Sequence, residues 1–459
     1  MQSLNREINE ITEGVIWKQL MAFFFPVLLG SLFQQLYNTV DAMIVGRFVG
    51  TEALAAVGGS SSQILNLIIG FFTGVSSGAT VIIAQFIGAR EEEDVSRSVH
   101  TAMVLAAACG AVMTVLGIIS APWLLGVMDT PAETMTDSVL YLRVVYLSMI
   151  PGMIYNMGSA ILRAAGDAKH PLVFLVICCL VNVALDLLFV CALHMGVAGV
   201  AVATSLAQLI SAVMVCVFLS KSRESYRLEL RQLRADRRML RRTVRIGLPT
   251  GLQSVLYAVS NMIITASINS FGTDTVAAWV ALIKLDALTW LVMGAFGVAV
   301  MTFVGQNYGA RRYDRVKSSI RLCTGIATAV TVTTGTVFLL GGRYFFYLFT
   351  DDALVIDMAV SLLLCIAPWY WLYVPVEVLS GSLRGMGDTL IPTIITAVGI
   401  CLMRVLWVFA LVPRWHTIEA VTISYPVTWG LTSLAFTIYY FRFRKKRLGA
   451  ASLVKNGAP

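Results

Sequence analysis

Long apolar runs, separated by short charged clusters or by Gly and Pro, occupy the chain from Trp17 to Tyr440. Twelve are long enough for helices: 17–45, 53–86, 96–120, 135–163, 171–193, 198–219, 244–269, 275–306, 316–340, 354–384, 391–412 and 420–441. About 20 helical residues cross the hydrocarbon core of a bilayer. Each run therefore predicts a span, and the longer ones predict helices that tilt, bend or project. The expected fold class is an all-α integral membrane protein with twelve transmembrane helices.

Composition supports that pattern. Hydrophobic residues make up 58% of the chain and charged ones 13%, against about 25% charged in a soluble domain. A soluble protein this apolar could not cover its surface. The opening MQSLNREINE is polar, and the run after Trp17 is too long for a signal-peptide core. The first span is thus expected to be a real one, with the N-terminus inside.

The net charge of +8 could suggest nucleic acid, but its placement points to topology instead. Of the 34 Lys and Arg, Arg47, Arg343 and Arg414 fall in outer loops, and Arg143, Lys284 and Arg404 within spans. The rest sit in inner loops, at inner span ends or in the tails. This is a positive-inside distribution, and an even number of spans puts both termini in the cytoplasm. The densest basic stretch, RLELRQLRADRRMLRRTVR from Arg227 to Arg245, separates two sets of six spans. It is expected to be a cytoplasmic linker or a helix on anionic headgroups. The domains expected are a lobe over 1–219, a basic linker over 220–243, a second lobe over 244–441 and a basic tail over 442–459.

The two sets of six are repeats. AQFIGAREEEDVSRS (84–98) aligns with GQNYGARRYDRVKSS (305–319), and LRAAGDAKHP (162–171) with LRGMGDTLIP (383–392), both at an offset of 221. Near each start, Pro26, Ser31 and Asn38 recur as Pro249, Ser254 and Asn261 at an offset of 223. Six spans per unit make the repeats parallel, related by an axis along the membrane normal, a plan suited to transport.

Together with VDAMIVGRFVG in the first span, these blocks resemble the MATE (multidrug and toxic compound extrusion) transporters of prokaryotes, over nearly the whole chain. The resemblance implies a V-shaped pair of pseudo-symmetric six-helix bundles around a central cavity. It also implies export of cationic or amphipathic drugs or metabolites in exchange for inward H⁺ or Na⁺.

Ionisable residues inside spans are costly and point to function. Gln34, Tyr37 and Asp41 share one face of the first span, and Asn182 and Asp186, four apart, share one face of the fifth. Asp41, Asp186 and Thr204 each lie roughly 9–12 Å below the outer end of their span. Two carboxylates in one low-dielectric layer cannot both stay ionised without a cation. The chemistry expected is a shared proton or a Na⁺ held by Asp41, Asn182 and Asp186. The resemblance implies the same cation site, with Tyr37, Thr204, Tyr141 and Asn156 as its polar wall.

The second repeat lacks this set: Met403 and Trp407 stand where the first has Asn182 and Asp186. It carries instead a candidate polar cluster of Lys284, Asp286, Glu377 and Arg404, in which Asp286 and Arg404 are expected to form a buried ion pair. GVSSG (74–78) matches a hydrolase elbow, but that motif needs a strand–turn–helix setting. Gly70, Gly74 and Gly78 read as helix packing instead. The four histidines are dispersed and no phosphate-binding loop is present. No enzyme is expected, no cofactor beyond the coupling ion, and no nucleic-acid partner. The chain is expected to be a monomer in the inner (plasma) membrane, contacting lipid and a small-molecule substrate. The alternative reading is a flippase for a lipid-linked saccharide.

Overall fold

The structure is a computed structural model and describes residues 10–415 and 417–448. The polar residues 1–9, His416 and the end of the basic tail, 449–459, lie outside the described residues. Helices follow the apolar runs in order: α1 Ile16–Phe48, α2 Thr51–Ala89, α3 Glu92–Val127, α4 Ala132–Leu147 with Met149–Ala164, α5 Lys169–Ala192 and α6 Gly196–Lys221. The second set is α7 Arg237–Asn269, α8 Thr273–Gly309, α9 Tyr313–Phe346, α10 Ala353–Gly385, α11 Leu390–Trp415 and α12 Ile418–Phe443. Among the described residues there is no strand.

Ten of these helices are long and apolar enough to cross a membrane, and α4 makes eleven when its bent halves count as one span. The chain is therefore a multi-pass membrane protein. The remaining helix, α12, has 26 residues, about 39 Å at 1.5 Å per residue. It is less apolar because one face is polar, and that face is turned inward: Thr422, Ser424, Thr428 and Thr432 are buried, while Leu431, Leu434 and Phe441 are exposed. Val112, Val115, Leu116, Ile119 and Trp123 likewise make an exposed apolar stripe on α3. Such a stripe suits lipid.

The interruptions have local causes. The halves of α4 meet at 51°, just before Pro151, which has no N–H to give the carbonyl four residues back. At the bend the Ser148 hydroxyl donates to the Val145 carbonyl at 2.7 Å. In α10, a tighter 3₁₀ stretch, Ala367–Tyr373, has Pro368 in its first turn and is followed by Pro375; it rotates Tyr370 and Tyr373 inward and leaves Trp369 and Trp371 exposed.

The sequence repeat is also a backbone repeat. Arg90 and Arg311 end α2 and α8 in the left-handed region, at φ 60° and 56°, and Gly166 and Gly387 follow α4 and α10 at 95° and 87°. The Asp167 N–H reaches the Leu162 carbonyl at 2.9 Å, and the Asp388 N–H reaches the Leu383 carbonyl at 3.0 Å. This is the same closing turn in both halves. The two aspartates then act differently. Asp167 Oδ1 accepts from the N–H groups of Lys169 and His170, whereas Asp388 accepts from the Tyr439 hydroxyl.

By contact the described residues form two compact units, one over Ala22–Gly251 and the other comprising those up to Met21 with those from Leu252 onward. In the first unit the basic segment is packed down. Leu228 and Met239 are buried, the Glu229 N–H donates to His100 Nε2 at 3.0 Å, and the Asp236 N–H donates to Thr101 Oγ1 at 3.0 Å. From Arg237 the segment is already α7. Close packing fixes that helix against α2: a Cβ on Gly74 would strike the backbone of Thr250 and Gly251, and one on Gly78 the backbone of Thr243 and Gly247. In the second unit Arg315 donates to the carbonyls of Ile11 at 3.0 Å and Gly14 at 2.7 Å, pinning the turn Glu10–Glu13 beside α8 and α9.

Candidate functional site

Within the Ala22–Gly251 unit, α1, α4, α5 and α6 bring together most of the polar residues singled out from the sequence. Asn182 and Asp186 are fully buried one turn apart on α5, and Asp41 on α1 is 8% exposed. The winding of α5 changes to a π-helical stretch, Leu187–Ala192, immediately after Asp186. The carboxyl groups of Asp41 and Asp186 are neighbours that interact with one another. Tyr141 is buried beside both. The Tyr37 hydroxyl, one turn before Asp41, donates to Thr204 Oγ1 at a long 3.5 Å.

The hydrogen bonding of this group is incomplete. Asp41 Oδ1, both carboxylate oxygens of Asp186, and both the oxygen and the nitrogen of the Asn182 amide are buried without a protein partner. Buried polar atoms are normally bonded, and an unpaired one costs roughly 1–3 kcal/mol. Carboxylate, amide and hydroxyl oxygens are hard donors, suited to a proton or an alkali cation. Among the described residues there is no group of three His, Cys, Asp or Glu fit for a metal ion. Gln34 and Asn156 make no hydrogen bond to this group among those described. Gln34 is exposed, and Asn156 donates its amide to the Gly152 carbonyl of its own helix at 3.0 Å.

In the other unit the expected polar cluster divides. Asp286 and Arg404 line one cavity of about 430 Å³, but they are not an ion pair. Asp286 accepts from the Tyr370 hydroxyl. Arg404 donates to Thr428 Oγ1 at 3.3 Å, and its guanidinium lies 3.9 Å from the centre of the Tyr425 ring. Equal depth placed the two charges in one layer, but depth carries no information about direction around the helix. Lys284 is exposed, and Glu377 lies against Gly297. Sequence reasoning missed Tyr370 as the partner of Asp286, because the 3₁₀ winding around Pro368 breaks the helical phase that would have assigned its face.

A family model described as MatE matches residues 26–188 and 249–409. The chain belongs to the MatE family. The two matched segments coincide with the two repeats. MatE proteins are transporters, and the chain is a transporter rather than an enzyme. Among bacterial relatives, the "Probable multidrug resistance protein YoeA" of Bacillus subtilis is 26% identical over 443 residues, covering 94% of this chain and 95% of that one. The "Probable multidrug resistance protein NorM" of Thermotoga maritima is 25% identical, covering 86% of each. The fold is that of a MOP superfamily transporter from Pyrococcus furiosus, with a TM-score of 0.87 at 23% identity, covering 97% of this MatE chain and 98% of that one.

Proposed function

We propose that the chain is a plasma-membrane antiporter that exports cationic or amphipathic drugs or metabolites, driven by inward H⁺ or Na⁺ bound at Asp41, Asn182 and Asp186. The single observation that supports the coupling site is the set of buried, unpartnered oxygens on two adjacent carboxyl groups and an amide. Among the described residues, no cationic side chain is paired with either carboxyl. A proton or Na⁺ supplies the missing partner, and its release leaves two carboxylates in a dry site. Loaded and unloaded forms therefore differ strongly in energy, as an ion-driven switch requires. Tyr37, Tyr141 and Thr204 complete the site. Relatives named for multidrug resistance support the export of drugs.

In this reading the residues 1–219 and 244–441 act as the two working halves, the basic stretches 220–243 and 442–459 face the cytoplasm with both termini, and the protein works as a monomer. The test is ethidium movement in proteoliposomes under separately imposed H⁺ and Na⁺ gradients. The proposal expects one of the two gradients to drive ethidium against its own concentration difference. Equal rates with and without each gradient contradict it.

A further inference from the structure

The cavity in the second unit is lined by a guanidinium and a carboxyl group that are not paired with each other. Arg404 is 4% exposed, and a guanidinium stays charged in any protein environment. Burying such a charge without a counter-ion is costly. Its compensation here is partial: the face of Tyr425, worth about 0.5–2 kcal/mol as a cation–π contact, and one neutral hydroxyl on Thr428. The Arg404 Nε–H is buried and meets no acceptor. Asp286 lines the same cavity and is engaged by the Tyr370 hydroxyl. Tyr425 lies within electrostatic reach of both charges.

The remaining wall is aromatic. Trp279 lies 5.7 Å from Tyr425, Tyr425 5.8 Å from Trp429, Trp429 5.6 Å from Trp290, and Trp290 4.8 Å from Tyr373, centre to centre. Such a wall suits a flat apolar body. The volume, about 430 Å³, lies within the range of small-molecule sites. The first repeat has no arginine here: Val183 holds the aligned position.

From this geometry we infer that the cavity binds a zwitterionic aromatic solute, its carboxylate on Arg404 and its ammonium on Asp286, with its ring against the tryptophans. A ligand with a cation alone would leave Arg404 unpaired and repelled. One with an anion alone would do the same to Asp286. The inference deepens the reading of the chain as an exporter, on which it rests, by naming a substrate class.

The test is calorimetric titration of the purified full-length protein in detergent with three matched probes. These are 2-naphthylalanine (zwitterion), its methyl ester (cation) and its N-acetyl derivative (anion). The expected result is that the zwitterion binds at least tenfold tighter than either derivative. Arg404→Met should cost the zwitterion at least tenfold and should not weaken the ester. Asp286→Asn, which keeps an acceptor for Tyr370, should cost the zwitterion and the ester at least tenfold and spare the N-acetyl compound. It tests the inference even if the arginine variant does not fold.

The inference is overturned if all three probes bind wild-type protein within threefold of one another, if no probe binds saturably, or if neither variant alters zwitterion affinity. A preference for the ester alone would make the cavity a plain cation site, and a preference for the N-acetyl compound a plain anion site. Either also overturns it. Binding in detergent needs no gradient, so failure here leaves the coupling site at Asp41 and Asp186 untouched. Binding without gradient-driven transport would fail the antiport reading alone.

Discussion

Asp41 on α1 and Asp186 on α5 are neighbours within one compact unit, and among the described residues no cationic side chain is paired with either. The pair is flanked by Asn182, whose buried amide has no protein partner.

Asn182→Ala removes one oxygen from this group and leaves both carboxyls. Losing one polar contact of about 1.4 kcal/mol corresponds to a tenfold change in affinity. The ion concentration for half-maximal transport should rise by about that factor, with little change in the maximal rate. Initial rates across a series of ion concentrations check this. An unchanged half-saturation point would remove Asn182 from the site.

Glycine packing predicts a stability contrast. Gly78→Ala sets a Cβ on the backbone of Thr243 and Gly247 and should destabilise by about 1–3 kcal/mol, the usual cost of overpacking. Gly325→Ala, in α9, meets nothing within 4 Å. It should be neutral or stabilising by up to about 1 kcal/mol, since Ala is the better helix former. Thermal unfolding of the two variants in detergent should separate them. Equal melting temperatures would contradict the close contact between α2 and α7.

The start of α7 carries a pH dependence. Asp236 sits just before the helix, and its Oδ1 accepts from the Met239 N–H at 2.9 Å and the Arg238 N–H at 2.8 Å. The Met239 bond above all, then the Arg238 N–H and the positive charges of Arg97 and Arg238, hold its carboxyl below the ordinary carboxylate range. For a lowered acid the stabilisation is complete above the unfolded value, about 3.9, and is lost as pH falls through the folded one. Hydrogen exchange at the Arg238 and Met239 amides should therefore show protection at pH 7 beyond the intrinsic pH effect, with that excess fading below about pH 4. Asp236→Ala should lack the excess at pH 7. Equal protection in wild type and variant at pH 7 would refute the cap.

How far the sequence carried depended on the kind of information each feature needs. Helices were legible because twelve apolar runs are long, and the boundary errors arose where charged residues continue a helix past the apolar part, as at Arg237–Thr243 of α7. The grouping of Asp41, Asn182 and Asp186 was legible because i, i+4 spacing fixes a face and counting from span ends fixes a depth. The same counting misled for Asp286 and Arg404, whose side chains turn to Tyr370 and Tyr425. The basic segment read as a linker because only scattered apolar residues, among them Leu228 and Met239, anchor it. Nothing in their spacing announces His100 and Thr101 as partners.

The most direct measurement compares wild type with Asp41→Asn and Asp186→Asn in proteoliposomes, following ethidium both under an imposed ion gradient and in gradient-free exchange. Each variant should retain exchange, showing a folded transporter, and lose gradient-driven accumulation to the level of empty liposomes. Accumulation at the wild-type level in both variants would contradict the assignment of coupling to this carboxyl pair.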